Sequence, residues 1–163
     1  MSVWTSDQAS NWYEDQGWLV GCNFLPSSCI NQIEMFQEST FNLEEIAKEI
    51  SWAKDLGFNT LRVYLHDLLW DEKDQFLIRF NNFLDCCQSF EIKPIIVLFD
   101  DCHYPFPQLG PQPLPIRGIH NSGWKQSPGH QIVTEIFELK TEKHLKRLQT
   151  YTQELLELYK EDE

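Results

Sequence analysis

Three short apolar runs, residues 18–25, 58–65 and 94–99, are separated by two helix-length amphipathic segments, and this alternation limits the fold more than any other feature. The runs are nearly continuous in apolar residues instead of alternating with polar ones. Strands of that kind suit a parallel sheet covered on both faces. Strand, helix, strand, helix, strand is the order of right-handed βαβ units. An α/β fold with parallel strands is therefore expected. An open doubly wound sheet and the start of an eightfold barrel both fit, and periodicity alone does not separate them.

The intervening segments carry their own punctuation. Asn42 is placed as an N-cap, with Glu45 three residues on to reach back to the free N–H of the cap. Ile46, Ile50 and Ala53, with Leu43, Ala47 and Leu56 beside them, follow the helical repeat, and Gly57 supplies a left-handed stop. The second helix is predicted over residues 72–89, with Phe76, Leu77, Phe80, Phe83, Leu84 and Cys87 on one face. Pro94 stands where the third strand begins, a position that loses no ladder hydrogen bond. A last helix, about 141–159, places Leu145, Leu148, Thr152, Leu155 and Tyr159 on one face before an acidic tail. Residues 101 to about 133 hold six of the eight prolines, and irregular segments that long are usually functional.

The 163 residues make one domain, and 42% hydrophobic residues are enough for a core. Thirteen Lys and Arg against 25 Asp and Glu leave a net charge of −12, which repels phosphate backbones and anionic headgroups, so neither nucleic acid nor membrane is expected as a partner. No run is long enough to span a bilayer, and the first residues lack the pattern of a secretory signal, which predicts a cytoplasmic protein. The five cysteines form no Cys-x-x-Cys pair and read as reduced, small buried hydrophobes. No phosphate loop, dinucleotide-binding glycine motif or nucleophile elbow occurs, and no cofactor is implied.

Ligands of parallel α/β folds bind at the carboxyl ends of the strands. Those ends here are polar: Arg62 with His66 and Asp67, then Asp100, Asp101 and His103. Arg62 lies within a strand, where a buried guanidinium needs a carboxylate or several carbonyls. It reads either as a structural ion pair or as a clamp on a catalytic carboxylate. The His and Asp residues fit contacts to a hydroxylated ligand better than a metal site, whose spacing they lack. Trp124 in the long loop and Trp70 after the second run are each either packing groups or platforms for a sugar ring.

With those residues in view, the chain resembles a known family. Trp18-Leu-Val-Gly-Cys-Asn-Phe-Leu-Pro26, Asn31-Gln-Ile-Glu-Met-Phe-Gln37 and Leu56-Gly-Phe-Asn-Thr-Leu-Arg-Val-Tyr-Leu-His-Asp-Leu-Leu-Trp70 look like the opening of a (β/α)₈-barrel glycoside hydrolase. So do Lys93-Pro-Ile-Ile-Val-Leu-Phe-Asp100 and His120-Asn-Ser-Gly-Trp-Lys-Gln-Ser-Pro-Gly129. The likeness is to the retaining, cellulase-like clan, in the branch often labelled 1,4-β-xylanase or cellulase. It implies a partial TIM barrel over residues 1–163, made of the first three β/α units and truncated before strand 4.

The same resemblance implies that Arg62 supports the nucleophile and that His66, Asp100 and His103 contact sugar, with Trp124 beside them. The clan places its acid/base Glu after an Asn at the end of the fourth strand and its nucleophile at the end of the seventh. No catalytic residue is then expected within this chain. Retaining hydrolysis needs two carboxylates about 5–5.5 Å apart, and the chain alone is expected to release no product. The implied substrate is a β-linked poly- or oligosaccharide. Two alternatives stand beside this reading: a non-catalytic half-barrel or sugar-binding subunit needing a complementing C-terminal half-barrel, and a small open-sheet α/β domain. Three parallel strands also leave two free edges, so self-association is expected. Arg62 is expected to be buried near the carboxyl ends of the strands, within hydrogen-bonding distance of a carboxylate or backbone carbonyls.

Overall fold

The computed structural model describes residues 3–160. The acidic tail at 161–163 and the first two residues lie outside the described residues. The fold is mixed α/β. Strands β1 (Gly21–Asn23), β2 (Thr60–Tyr64) and β3 (Lys93–Val97) form one parallel sheet in the order β1-β2-β3. Helices α1 (Ser6–Gln16), α2 (Gln32–Phe36), α3 (Leu43–Asp55), α4 (Lys73–Ser89), α5 (His130–Phe137) and α6 (Glu142–Tyr159) complete it, with a 3-10 turn at Asp67–Glu72 leading into α4.

The ladder is shorter than the apolar runs. In the first run, Trp18, Leu19 and Val20 are all exposed, Trp18 at 80%. Gly21 is the residue that lets β1 close on β2, since a Cβ there would fall 1.9 Å from the Thr60 carbonyl oxygen. Pro94 sits inside β3, not at its first residue. Lys93 N–H donates to Asn59 O and Leu65 N–H to Val97 O, so residues 93, 95 and 97 turn their backbones to β2. The nitrogen of Pro94 therefore faces the open edge of the sheet, where no partner strand asks for a hydrogen.

One face of the sheet is covered by helices. Leu61, Val63 and Leu65 from β2 and the loop after it pack with Ile46 and Ile50 of α3 and Phe76, Phe80 and Phe83 of α4. Phe36 of α2 meets those three rings edge-on at 5.7–5.8 Å between centroids. Such aromatic contacts add about 0.5–1.5 kcal/mol each beyond their buried area. The α3 and α4 faces match the periodicity, and Gly57 has the left-handed φ of 85° that ends α3. The capping box differs: Asn42 accepts from Glu45 N–H, but the Glu45 carboxylate takes hydrogens from Ser27 and Lys48 instead of reaching back.

The other face is bare, which corrects the expectation of a sheet covered on both sides. Register places Asn23, Arg62 and Ile95 in one row. Arg62 is exposed and Ile95 is 47% exposed. No helix crosses that row because α2, α3 and α4 all pack with the Leu61–Val63–Leu65 side. Two smaller corrections follow from the same packing. Only Cys87 among the five unpaired cysteines is buried, while Cys22 and Cys102 are exposed. On α6 the buried anchors are Tyr151 and Leu155, while Leu145 is 42% exposed.

Helix α6 is fixed by an ion pair as well as by packing. The Asp67 side chain is fully buried, and Arg147 of α6 donates to its Oδ2 at 2.5 Å, to its carbonyl oxygen at 3.0 Å and to Asp71 Oδ1 at 2.9 Å. Removing one partner of a buried pair strands the other charge away from water. Arg147→Met should lower the unfolding free energy by about 3 kcal/mol in urea titrations, whereas Arg117→Met, on an exposed loop, should leave the midpoint unchanged.

Candidate functional site

Four side chains form a connected line at the carboxyl ends of the strands. The Arg62 guanidinium lies over the Tyr64 ring, 4.7 Å from its centroid. Tyr64 meets Trp124 at right angles with 5.3 Å between centroids. Trp124 Nε1–H donates to Asp100 Oδ2 at 2.8 Å. Alternation along β2 puts Arg62 and Tyr64 on the bare side of the sheet. Trp124 and Asp100 are both half-buried, so the line is open to solvent along part of its length.

Arg62 is exposed and not buried as expected, and among the described residues no ion pair includes it. The reason is the bare face: a guanidinium in water carries no desolvation cost, and the ring of Tyr64 is partner enough. Asp100 and Trp124, by contrast, are brought together. His66 and His103 lie elsewhere. The His66 ring is buried; its Nδ1 accepts from Leu68 N–H at 3.1 Å and its Nε2–H donates to Gln126 O at 2.9 Å. Both nitrogens are thus engaged with backbone. His103 is exposed, has a left-handed φ of 73°, and its ring faces His120 at 6.3 Å. Trp70 belongs to the packing, against Phe76 and Tyr151, with its Nε1–H on Glu154.

What holds Trp124 in place was not visible in the sequence. Buried amides of Asn31, Gln32 and Gln37 fasten the long loop by its carbonyls: Asn31 to Gly123, Gln32 to Lys125 and Gln37 to Gly110. Asp100 and Ser127 exchange two backbone hydrogen bonds at 2.8 Å, and Asp101 accepts from the Gln126 amide. Lys125 places its ammonium 4.2 Å from the centre of the Tyr104 ring, and desolvation lowers its pKa. The segment Asn31–Gln37 therefore serves as a bracket for the loop. In the sequence this segment stood out as one of the stretches that carry the resemblance, a run of amides beside apolar residues, with nothing to show that it binds the loop.

The arrangement offers an aromatic edge, a guanidinium and one carboxylate acceptor, the donors and acceptors that hydroxylated rings use. Asp100 is the one carboxylate in the line and accepts from Trp124; Asp101 accepts from the Gln126 amide, and Asp67 is buried on Arg147. Near Asp67, the Tyr151 hydroxyl is buried and has no hydrogen-bond partner among the described residues; burial and then the Asp67 charge push its pKa up. Among the described residues, no three His, Cys, Asp or Glu side chains come together so as to hold a metal ion. No described helix is long and apolar enough to cross a membrane. Comparison with protein-family models, with curated proteins and with solved structures returns no match.

His66, which holds the loop at Gln126, supplies a pH test of that anchorage. Burial holds its pKa below the ordinary 6.5, ahead of the raising effect of Asp67. The unfolded chain binds the proton first, so this contribution to stability is present above pH 6.5 and is lost as pH falls below it. We expect the melting temperature to drop as pH falls from about 7.5 to about 5.5, with a weaker dependence in His66→Gln.

Proposed function

We propose that the Arg62–Tyr64–Trp124–Asp100 line is a carbohydrate-contacting surface of a glycoside-hydrolase-like barrel unit. The observation that carries this reading is the line itself: aromatic, cationic and carboxylate groups gathered at the carboxyl ends of parallel strands on the face without helices. An open doubly wound sheet would carry helices on both faces, so one-sided cover favours a barrel segment over that alternative. In this reading the complete barrel hydrolyses a β-linked poly- or oligosaccharide, and its acid/base and nucleophile come from strands beyond the third. His66 acts by holding Gln126, and so the loop, not by touching sugar.

A second reading, a non-catalytic sugar-binding half-barrel, draws on the engagement of Asp67, Asp100 and Asp101 with neighbouring groups. The two readings agree that this chain alone binds without cleaving. Titration with cello- and xylo-oligosaccharides, followed by tryptophan fluorescence and calorimetry, tests both. Trp124→Ala should raise Kd about tenfold, or ~1.4 kcal/mol. Asp100→Asn should weaken binding less, and Trp52→Ala on α3 should leave it unchanged. Failure of any oligosaccharide to bind, or equal binding by Trp124→Ala, would refute the site.

Hydrolysis gives a separate check. Purified chain should release no product from aryl β-glycosides or β-glucans, because a carboxylate pair contributes much of a barrier reduction that is at least ~8 kcal/mol in enzymes. Turnover abolished by Asp100→Ala would show that a catalytic group lies in this chain after all.

A further inference from the structure

The long loop presents a proline-spaced segment that the line of Arg62, Tyr64, Trp124 and Asp100 does not use. Pro111, Pro113 and Pro115 each fix φ at about −65°, and each restricts the residue before it to extended backbone. Residues 112–116 belong to no helix, strand or turn. Extended chain so rich in proline takes the polyproline II form, with three residues to a turn.

The contacts of the segment repeat with that period. Gln112 faces the fold: its amide donates to Gln108 O at 2.9 Å and to Gly110 O at 2.8 Å, and its side-chain oxygen accepts from the buried Asn31 at 3.0 Å. Three residues on, Pro115 lies against Gly123, its Cβ 3.6 Å from where a Cβ on that glycine would stand. The other two edges, Pro111 with Leu114 and Pro113 with Ile116, are exposed, Leu114 at 84% and Ile116 at 61%. The far end is pinned too. The Ser122 hydroxyl accepts from Ile116 N–H at 2.6 Å and donates to Ile116 O at 3.2 Å, and Ile119 N–H closes a turn on the same carbonyl. Two apolar edges are thus held out in water by anchors on either side.

Charge singles out the same stretch. The chain carries 25 Asp and Glu, yet residues 102–134 hold none. Arg117, next after Ile116, is exposed, and among the described residues its guanidinium takes part in no hydrogen bond or ion pair. A groove that matches these groups has aromatic rings to receive the two edges and a carboxylate to receive the cation. Because the segment is already ordered, binding it costs little conformational entropy. A lipid surface matches less well, since one guanidinium is all the charge the segment brings and the net charge of −12 repels anionic headgroups.

We propose that residues 111–117 are a docking segment for a partner protein whose polyproline-binding groove is lined by aromatic rings and ends in a carboxylate. Leu114 and Ile116 enter the clefts between the rings with Pro111 and Pro113 beside them, and Arg117 pairs with the acidic group. The inference does not rest on the carbohydrate reading: Arg62, Tyr64, Trp124 and Asp100 all lie outside the segment.

Binding of the full chain to an immobilised panel of purified SH3, WW and EVH1 domains, followed by interferometry, tests it. At least one domain should bind saturably, one to one. Leu114→Ala, Pro113→Ala and Arg117→Glu should each raise Kd at least about tenfold, while Trp52→Ala should bind as the unaltered chain does. Added salt should weaken binding of the unaltered chain and leave that of Arg117→Met nearly constant. The substituted positions are exposed, so an unchanged urea midpoint shows each variant to be folded. No binding by any domain, binding indifferent to Leu114→Ala and Pro113→Ala or to Arg117→Glu, or Leu114-dependent capture by phosphatidylserine vesicles in place of the domains would each overturn the proposal.

Discussion

The Asp67 carboxylate has no exposed surface, and a buried charge of that kind must be met by a cation and by hydrogen bonds or it destabilises the fold by several kcal/mol. The chain meets it from two distant places. Arg147 arrives from α6, eighty residues on, and the Ser127 hydroxyl donates to Asp67 Oδ1 at 3.3 Å from the end of the long loop. His66, next in the chain, holds Gln126 through its Nε2–H. Ser127 in turn is bridged to Asp100 at the end of the third run. One buried charge thus joins the carboxyl ends of two strand segments, the loop and the last helix. Trp124 reaches Tyr64 because the loop is anchored on both sides of this point, by Gln126 and Ser127 after it and by Gly123 before it. Site geometry here is a consequence of how a charge was buried.

Local signals were legible where local physics decides them. Helices α3 and α4 follow from apolar spacing and a glycine stop, and the three strand positions follow from apolar runs. Helix α1 is not legible in the periodicity because none of its residues is buried, so no apolar face marks it, although Thr5 and Gln8 form a complete capping box. Helix α5 is eight residues long at the end of a proline-rich segment, too short for periodicity to reveal it. Strand length is less legible: an apolar run shows which residues could pair, while the partner strand decides how many do.

The site was legible in composition and not in its joints. Asp100 and Trp124 were both singled out, but their hydrogen bond spans 24 residues and depends on amides at Asn31, Gln32 and Gln37 that act across 73 to 93 residues. Polar residues that satisfy a distant backbone carbonyl leave no periodic trace. Arg62 shows the opposite failure. Its place inside a strand suggested burial, and the inference was sound for a covered strand, but cover is a property of the whole sheet.

That difference sets what the site can do. In water two unit charges 4 Å apart interact by about 1 kcal/mol, and in a region of low effective dielectric by about 4 kcal/mol or more. On the bare face, Arg62 therefore attracts an anion or a developing negative charge only weakly, and its contact with Tyr64 matters more than its charge. Any layer that excluded water from the face would reverse this order. The guanidinium would then need acceptors for its five donors, and the Tyr64 ring can supply none in its plane. Asp100 faces the converse problem, since covering it would leave a carboxylate with one indole N–H as its side-chain partner. Two opposite charges at the strand ends, each content in water and each short of partners without it, make the chemistry of this face depend on what covers it.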